Sequence, residues 1–175
     1  MKQRKSNTKA APGVTLRDVH GAPGHLIRRC NQISVAIFFD EMKSARLTPV
    51  QYASLVAIHD HPGIEQVTLV DMIAIDRSTI GTVLRSLEAR GLVSRTTPEH
   101  NQRIKQLRIL PAGVKLIAQT REQMARVQER LLAPLTAAER KTFVALLSRL
   151  VQVNNKFSRA PLRTPSRLSP SDEAA

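Results

Sequence analysis

The sequence predicts a mainly α-helical fold: a winged helix-turn-helix with a small antiparallel β wing, flanked by N- and C-terminal dimerisation helices. Three observations predict it. From Val67 to Leu110 the chain reads as a short helix, a tight turn, a second helix with a polar outer face, and a basic hairpin. Within Arg77–Arg90 the apolar residues Ile80, Val83, Leu84 and Leu87 recur at the spacing of one buried helical face. The helical patterns on either side carry more apolar surface than one small winged domain can cover.

The N-terminal stretch mixes Lys, Arg, Ser, Thr, Asn and Pro without periodicity, so residues 1–19 are expected to be a basic disordered tail. One domain is expected over 20–157, with a DNA-binding lobe at about 48–110 and dimerisation helices at about 25–45 and 111–155. From His25 to Lys43 the pattern is helical. Its second half, from Ile33 through Phe38, Phe39 and Met42, is apolar nearly all round and so needs cover on most faces. Thr48, Pro49 and Gln51 form a capping box that opens the next helix, which His61-Pro62-Gly63 ends. Leu69, Val70 and Ile73 make a short apolar stripe, and Ala74-Ile75 a compact turn.

Asp76 is placed to cap the second helix of the motif, and Gly91 to end it in the left-handed conformation. The free face holds Ser78, Thr82 and Arg85, with Arg77 and Thr79 in the first turn. Small hydroxyls approach phosphates or base edges closely, and Arg bonds guanine O6 and N7 together. The same face is also what an ordinary solvated amphipathic helix shows. Its neighbours favour DNA. Leu92–Arg95 reads as a strand, Pro98–Arg103 as a hairpin loop, and Ile104–Leu110 as the returning strand, with Leu107 and Ile109 alternating against Arg108. The candidate DNA contacts are therefore Arg77, Ser78, Thr79, Thr82 and Arg85 on the helix, with Asn101, Gln102, Arg103 and Lys105 on the wing.

Pro111 opens a long helix to about Leu132, with a stripe through Val114, Ile117, Met124 and Leu131. After a break at Pro134, Thr136 and Glu139 form a second capping box, and Phe143, Leu146, Leu147 and Leu150 form the next expected buried face. A two-fold homodimer, in which helices from both chain ends interlock, is the economical way to cover these faces. Residues 158–175, rich in Ser, Pro and Arg, are expected to be a disordered C-terminal tail.

Composition agrees with a polyanionic partner: 27 Lys and Arg stand against 14 Asp and Glu, a formal net charge of +13. Aromatic residues are only 3% of the chain, which disfavours a single-strand binder that stacks bases on rings. At 175 residues the chain is long enough for one domain with a real core. No apolar run approaches a membrane span, and the basic N-terminus lacks the apolar core of a secretory signal. Cys30 is the sole cysteine, so no internal disulfide forms. Cys30 senses oxidants only if its thiolate is favoured and accessible, and a buried structural role is the simpler expectation. A cytoplasmic protein without membrane partner is expected.

The competing class is a metal-dependent enzyme built on His59-Asp60-His61. Adjacent helical positions point apart, however, and a His at a helix end is accounted for by the helix dipole. There is no nucleotide-binding Gly loop and no Cys/His zinc spacing, so neither catalytic residues, metal nor cofactor is expected. A basic RNA-binding interaction protein is the remaining alternative.

Residues 47–52 (Leu-Thr-Pro-Val-Gln-Tyr), 76–80 (Asp-Arg-Ser-Thr-Ile), 87–93 (Leu-Glu-Ala-Arg-Gly-Leu-Val), 111–113 (Pro-Ala-Gly) and 135–140 (Leu-Thr-Ala-Ala-Glu-Arg) resemble, in order and spacing, the landmarks of the MarR family of bacterial transcriptional regulators. The resemblance covers roughly residues 20–155. It implies a homodimer on a pseudo-palindromic operator in double-stranded DNA, usually a repressor released by a small-molecule effector. It places the effector between the dimer helices and the DNA-binding lobe, with Arg28, Arg29, Tyr52 and His59 as candidate ligand residues. The second helix and the Asp-Arg-Ser-Thr-Ile-Gly segment resemble members that respond to aromatic acids or their CoA esters. Two positions depart from the family's pattern: Asn101-Gln102-Arg103 stands where an Asp-Arg-Arg run is usual, and Leu110 where a capping Thr is usual.

Overall fold

The computed structural model describes residues 13–97 and 104–163. The elements run α1 (Leu16–Gly21), α2 (Pro23–Glu41), α3 (Pro49–Asp60), α4 (Gln66–Met72), α5 (Arg77–Ala89), β1 (Val93–Thr96), β2 (Gln106–Ile109), α6 (Pro111–Leu132) and α7 (Ala137–Asn154), closed by a 3₁₀ turn at Asn155–Phe157. This is the expected winged helix-turn-helix between terminal helices.

Local chemistry sets most of these boundaries. The Gln51 amide donates to Thr48 Oγ1 (3.2 Å) while the Thr48 N–H donates to Gln51 Oε1 (2.9 Å), a reciprocal box that starts α3 behind Pro49. Thr136 and Glu139 repeat it at α7, and the Thr136 backbone and hydroxyl donors hold the Glu139 carboxyl below its ordinary range. Gly91, at φ +64°, turns the chain from α5 into β1 in a conformation that costs glycine nothing. A third box, Thr15 with Asp18, opens α1. The tail expected over residues 1–19 is corrected here, because its end is already helical. Leu110 precedes α6 without a side-chain cap, as its apolar side chain requires.

The core lies where α3, α4 and α5 meet the sheet. Ile80, Val83, Leu84 and Leu87 pack against Leu55 and Ile58 of α3, Leu69 and Val70 of α4, and Val93 and Leu107 of the sheet, in one buried cluster. β1 and β2 pair antiparallel with Val93 opposite Ile109 and Thr96 opposite Gln106. The segment before α4 joins the far edge of β2. The Leu107 N–H donates to the Ile64 carbonyl (2.9 Å), the Gln66 N–H to the Lys105 carbonyl (2.9 Å), and the Gly63 N–H to the Leu107 carbonyl (2.8 Å). The wing is thus hydrogen-bonded to the helix-turn-helix on a side that carried no strand pattern. The expected hairpin loop Pro98–Arg103 lies outside the described residues.

α6 runs back along α2. Its inward face is Gly113, Thr120 and Val127, with Leu116, Ile117 and Met124 partly buried beside them. The stripe expected through Val114 is corrected: Val114 is exposed, and Thr120 is buried because its hydroxyl donates to the Leu116 carbonyl (2.8 Å). Gly113 sits where a Cβ would press on the Leu92 carbonyl and on Ile109, so the helix can approach the wing this closely only at a glycine. Ion pairs tie the far ends together: Arg126 to Glu41 (2.8 Å), and Arg130 to Asp40 (2.7 Å) and Glu41 (2.6 Å).

α7 buries no residue within the chain: Phe143, Leu146, Leu147 and Leu150, the face expected to need a second copy for cover, are each about a third to a half exposed. Ile33 and Phe39 of α2 are likewise about half exposed. Two further expectations are corrected. Asp76 occupies the N-cap position of α5 but makes no capping bond; its carboxylate pairs instead with Arg159 (3.4 Å). The tail expected over 158–175 holds defined contacts in its first part, where the Arg163 N–H donates to the Asp71 carbonyl (2.9 Å).

The α2–α6 ion pairs give a pH dependence with a definite sign. The Arg130 bond, and then Lys43, hold the Asp40 carboxyl below its ordinary range, and the bonds from Arg126 and then Arg130 do the same for Glu41. A carboxyl lowered in the folded state contributes stability above its unfolded pKa and loses it as pH falls through the lowered value. Acid titration of the folded protein should therefore lose stability below about pH 4, and Asp40→Asn/Glu41→Gln should flatten that limb in thermal melts. An acid limb as steep as wild type would show that the pairs do not hold α6 to α2.

Candidate DNA-binding surface and effector cleft

The four buried apolar residues of α5 fix which side of it faces out. Arg77, Ser78, Thr79, Thr82 and Arg85 are all exposed on the opposite side, as the periodicity requires. The Arg85 guanidinium donates to Thr82 Oγ1 (3.0 Å), its one hydrogen bond among the described residues, which lays it along the helix. Asp76 makes no cap, so among the described residues no side chain caps the first-turn N–H groups beside Arg77–Thr79.

Three contacts hold α5 in place. Gln51 Nε2 of α3 donates to Ser86 Oγ (3.0 Å). Arg90 donates to the carbonyls of Arg46 (2.8 Å) and Ala45 (2.7 Å), clamping the end of α5 onto the turn after α2. Arg95 of β1 pairs with Glu88 (2.8 Å), both side chains being less than a third exposed. This last pair joins the wing to the recognition helix. Sequence reading missed Arg90, Arg95 and Glu88 as positioning residues, since partners across a strand–helix turn or 44 residues apart leave no periodic signal.

On the wing, Lys105 is exposed and donates to Thr97 Oγ1 (2.6 Å), linking the two ends of the hairpin loop. Arg77 and Lys105 flank one cleft of about 260 Å³ between α4, α5 and the wing, so the structure brings the helix and wing candidates onto one rim. Asn101, Gln102 and Arg103 lie outside the described residues.

A larger cleft of about 580 Å³ opens between α2, α3 and α6, walled by Val35, Phe38, Tyr52 and Met124 and rimmed by Ser34 and His61. Its volume is that of a small-molecule site. Tyr52 stands edge-on to Phe38, with ring centroids 6.2 Å apart. Of the four candidate ligand residues only Tyr52 lines this cleft. Arg28 and Arg29 are exposed on α2 and both donate to Gln32 Oε1 (3.2 and 3.3 Å). His59 is exposed and pairs with Asp60 (3.0 Å), while His61, two residues on, reaches the rim. Lost hydration and then the charges of Arg28, His20 and Arg29 hold His25 below the ordinary imidazole value, marking this end of α2 as a cationic patch.

Cys30 is half-buried, in an apolar groove with Leu26, Leu131 and Phe143. Among the described residues no three His, Cys, Asp or Glu side chains are grouped to hold a metal ion. No helix among them is long and apolar enough to cross a membrane.

Comparison with known proteins places this geometry. A sequence model of the MarR family matches residues 47–105. The uncharacterized HTH-type transcriptional regulator YybA of Bacillus subtilis (strain 168) is 36% identical over 110 residues, covering 63% of this chain and 73% of YybA. The HTH-type transcriptional repressor NicR of Pseudomonas putida is 28% identical over 149 residues, covering 85% of this chain and 94% of NicR. Among solved structures, that of Bordetella bronchiseptica BpsR superposes with a TM-score of 0.70 at 29% identity, covering 75% of this chain and 94% of BpsR. Regulation of BpsR's DNA binding by 6-hydroxynicotinic acid is the subject of that structure.

If the exposed face of α5 reads bases, Arg85→Ala should cost about 1–3 kcal/mol on a specific duplex and much less on a random one. Equal losses on both duplexes in anisotropy titrations would make Arg85 a phosphate contact.

Proposed function

The chain belongs to the MarR family, and from that premise we propose that this DNA-binding transcriptional regulator is a homodimeric repressor, released from a pseudo-palindromic operator by a small aromatic acid or its CoA ester. The observation that carries the reading is the cleft beside Tyr52. It is walled by α3, and the residue before Tyr52, Gln51, is bonded to Ser86 of α5. A ligand that moves α3 therefore moves the helix that reads DNA.

The cleft suits an aromatic acid. Phe38, Tyr52 and Met124 offer apolar and ring surfaces, and Ser34 and His61 offer polar partners at the rim. A carboxylate held there meets a hydroxyl and an imidazole in place of the guanidinium that Arg28 or Arg29 would bring. The volume holds the acid itself, so a CoA ester would extend its nucleotide part into solvent. NicR's name as a repressor and the regulation of BpsR by 6-hydroxynicotinic acid support both the sign and the ligand class.

Dimerisation rests on the uncovered apolar faces. Ile33 and Phe39 of α2, with Leu146, Leu150 and Val151 of α7, are each about half exposed. Obligate interfaces bury this kind of surface, and a second copy supplies the complementary face by symmetry.

A ligand shifts DNA binding only by its difference in affinity for the free and DNA-bound forms. Hydroxybenzoic and hydroxynicotinic acids should raise the melting temperature, by mass action worth about 2.7 kcal/mol at a hundredfold excess over Kd. They should also release the bound operator, and Tyr52→Ala should abolish both effects. Acids that stabilise the protein without releasing DNA would refute the switch, and acids that do neither would refute the ligand class.

A further inference from the structure

Residues 158–163 form a short arm that returns from α7 and lies across the helix-turn-helix. Its backbone is tied down at Leu162 and Arg163. Asn155 donates to the Leu162 carbonyl (2.8 Å) and accepts from the Leu162 N–H (2.8 Å), and the Arg163 N–H donates to the Asp71 carbonyl at the end of α4 (2.9 Å). Ala160 and Pro161 are half-buried toward the motif, whereas Arg159 and Arg163 stand out in solvent. Between arm and motif is a cavity of about 360 Å³ lined by Arg77, Arg159 and Arg163 together with Asp71 and Asp76.

We propose that Arg159 and Arg163 are phosphate contacts for double-stranded DNA, a second basic edge beside the recognition helix that extends the surface formed by α5 and the wing. The inference rests on the reading of α5 as the DNA-facing helix. Arg159 reaches the carboxylate of Asp76, the residue immediately before α5, so its guanidinium lies alongside the first turn that carries Arg77, Ser78 and Thr79. A helix about 10–12 Å across fills a major groove about 12 Å wide, which puts a phosphate strand along each of its flanks. The arm brings its cations beside the start of α5, where Arg77 borders both the arm cavity and the cleft it shares with Lys105 of the wing.

The Arg159–Asp76 pair is suited to exchange. It is long, at 3.4 Å, and the Arg159 side chain is 85% exposed. Exposed pairs of this kind are weak, while a phosphate offers guanidinium a bidentate acceptor of higher charge. When Arg159 transfers to a phosphate, Asp76 is left at the N-cap position with its side chain free to accept from the first turn of α5. DNA contact and completion of the helix cap thereby occur together.

The test uses the full chain and a labelled random-sequence duplex, because phosphate contacts are independent of sequence. Anisotropy is followed across a salt titration for the wild type, Arg159→Gln/Arg163→Gln and Arg159→Lys/Arg163→Lys. The glutamine pair should lower the slope of log affinity against log salt by about 1.8 per bound protomer, or about 3.6 for the proposed dimer, at roughly 0.9 per phosphate, and the lysine pair should keep most of it. An unchanged slope in the glutamine pair would overturn the proposal, and so would tighter binding, which would mean that the arm screens α5. A wild type that binds no duplex would instead overturn the DNA reading itself. A second measurement needs no variant: duplex should protect Arg159 and Arg163 of the wild type from phenylglyoxal, and modification as fast with DNA as without it would equally reject the arm.

Discussion

Ile80, Val83, Leu84 and Leu87 are each at most 8% exposed, and their burial decides where every other part of the site stands. Burying an aliphatic side chain of this size is worth about 1.5–3 kcal/mol, and α5 buries four. The Gln51 hydrogen bond contributes about 1 kcal/mol and a charge-assisted bond from Arg90 about 1.5–3 kcal/mol, so set against four buried side chains they orient a helix that apolar packing has already located. The polar face with Arg77 and Arg85 is outward because the other face is committed. The same packing makes α3 a shared wall, with the core on one side and the Tyr52 cleft on the other.

The helices outside this lobe obey a different constraint. α6 finds cover on α2 through Val127 and Met124 and is tied there by Arg126 and Arg130. α7 finds only partial cover, and Leu146, Leu150 and Val151 stay about half exposed in the lone chain. In the proposed dimer that deficit becomes the association energy, and the cleft then lies between the symmetric interface and the DNA-reading helix. An effector there acts on both without touching DNA.

What was legible in the sequence was local or periodic. The boxes at Thr48 and Thr136, the stop at Gly91 and the stripe of α5 depend on residues within a turn or two of each other, and they stand as read. The terminal helices were harder. Thr120 is buried and Val114 exposed on α6, because a threonine that bonds its own helix backbone tolerates an apolar neighbour and a valine near a helix start follows the local orientation of the chain. Asp76 has the right type and place for a cap, but a cation 83 residues away takes its carboxylate, and no local pattern encodes that. A cleft does open beside Tyr52, between α3 and the helices α2 and α6. Arg28 and Arg29 fall outside it: Asn31 and Ser34, just further along α2, line the cleft, whereas both arginines are exposed and turned to Gln32.

The central claim is that α5 is one half of a symmetric reader of DNA. Hydroxyl-radical footprinting on a duplex selected by the protein from a random pool tests it most directly. The expected result is two protected stretches related by a two-fold axis, centred about one helical turn (roughly 34–36 Å) apart. Protection of a single half-site, or failure to enrich any sequence from the pool, would contradict it.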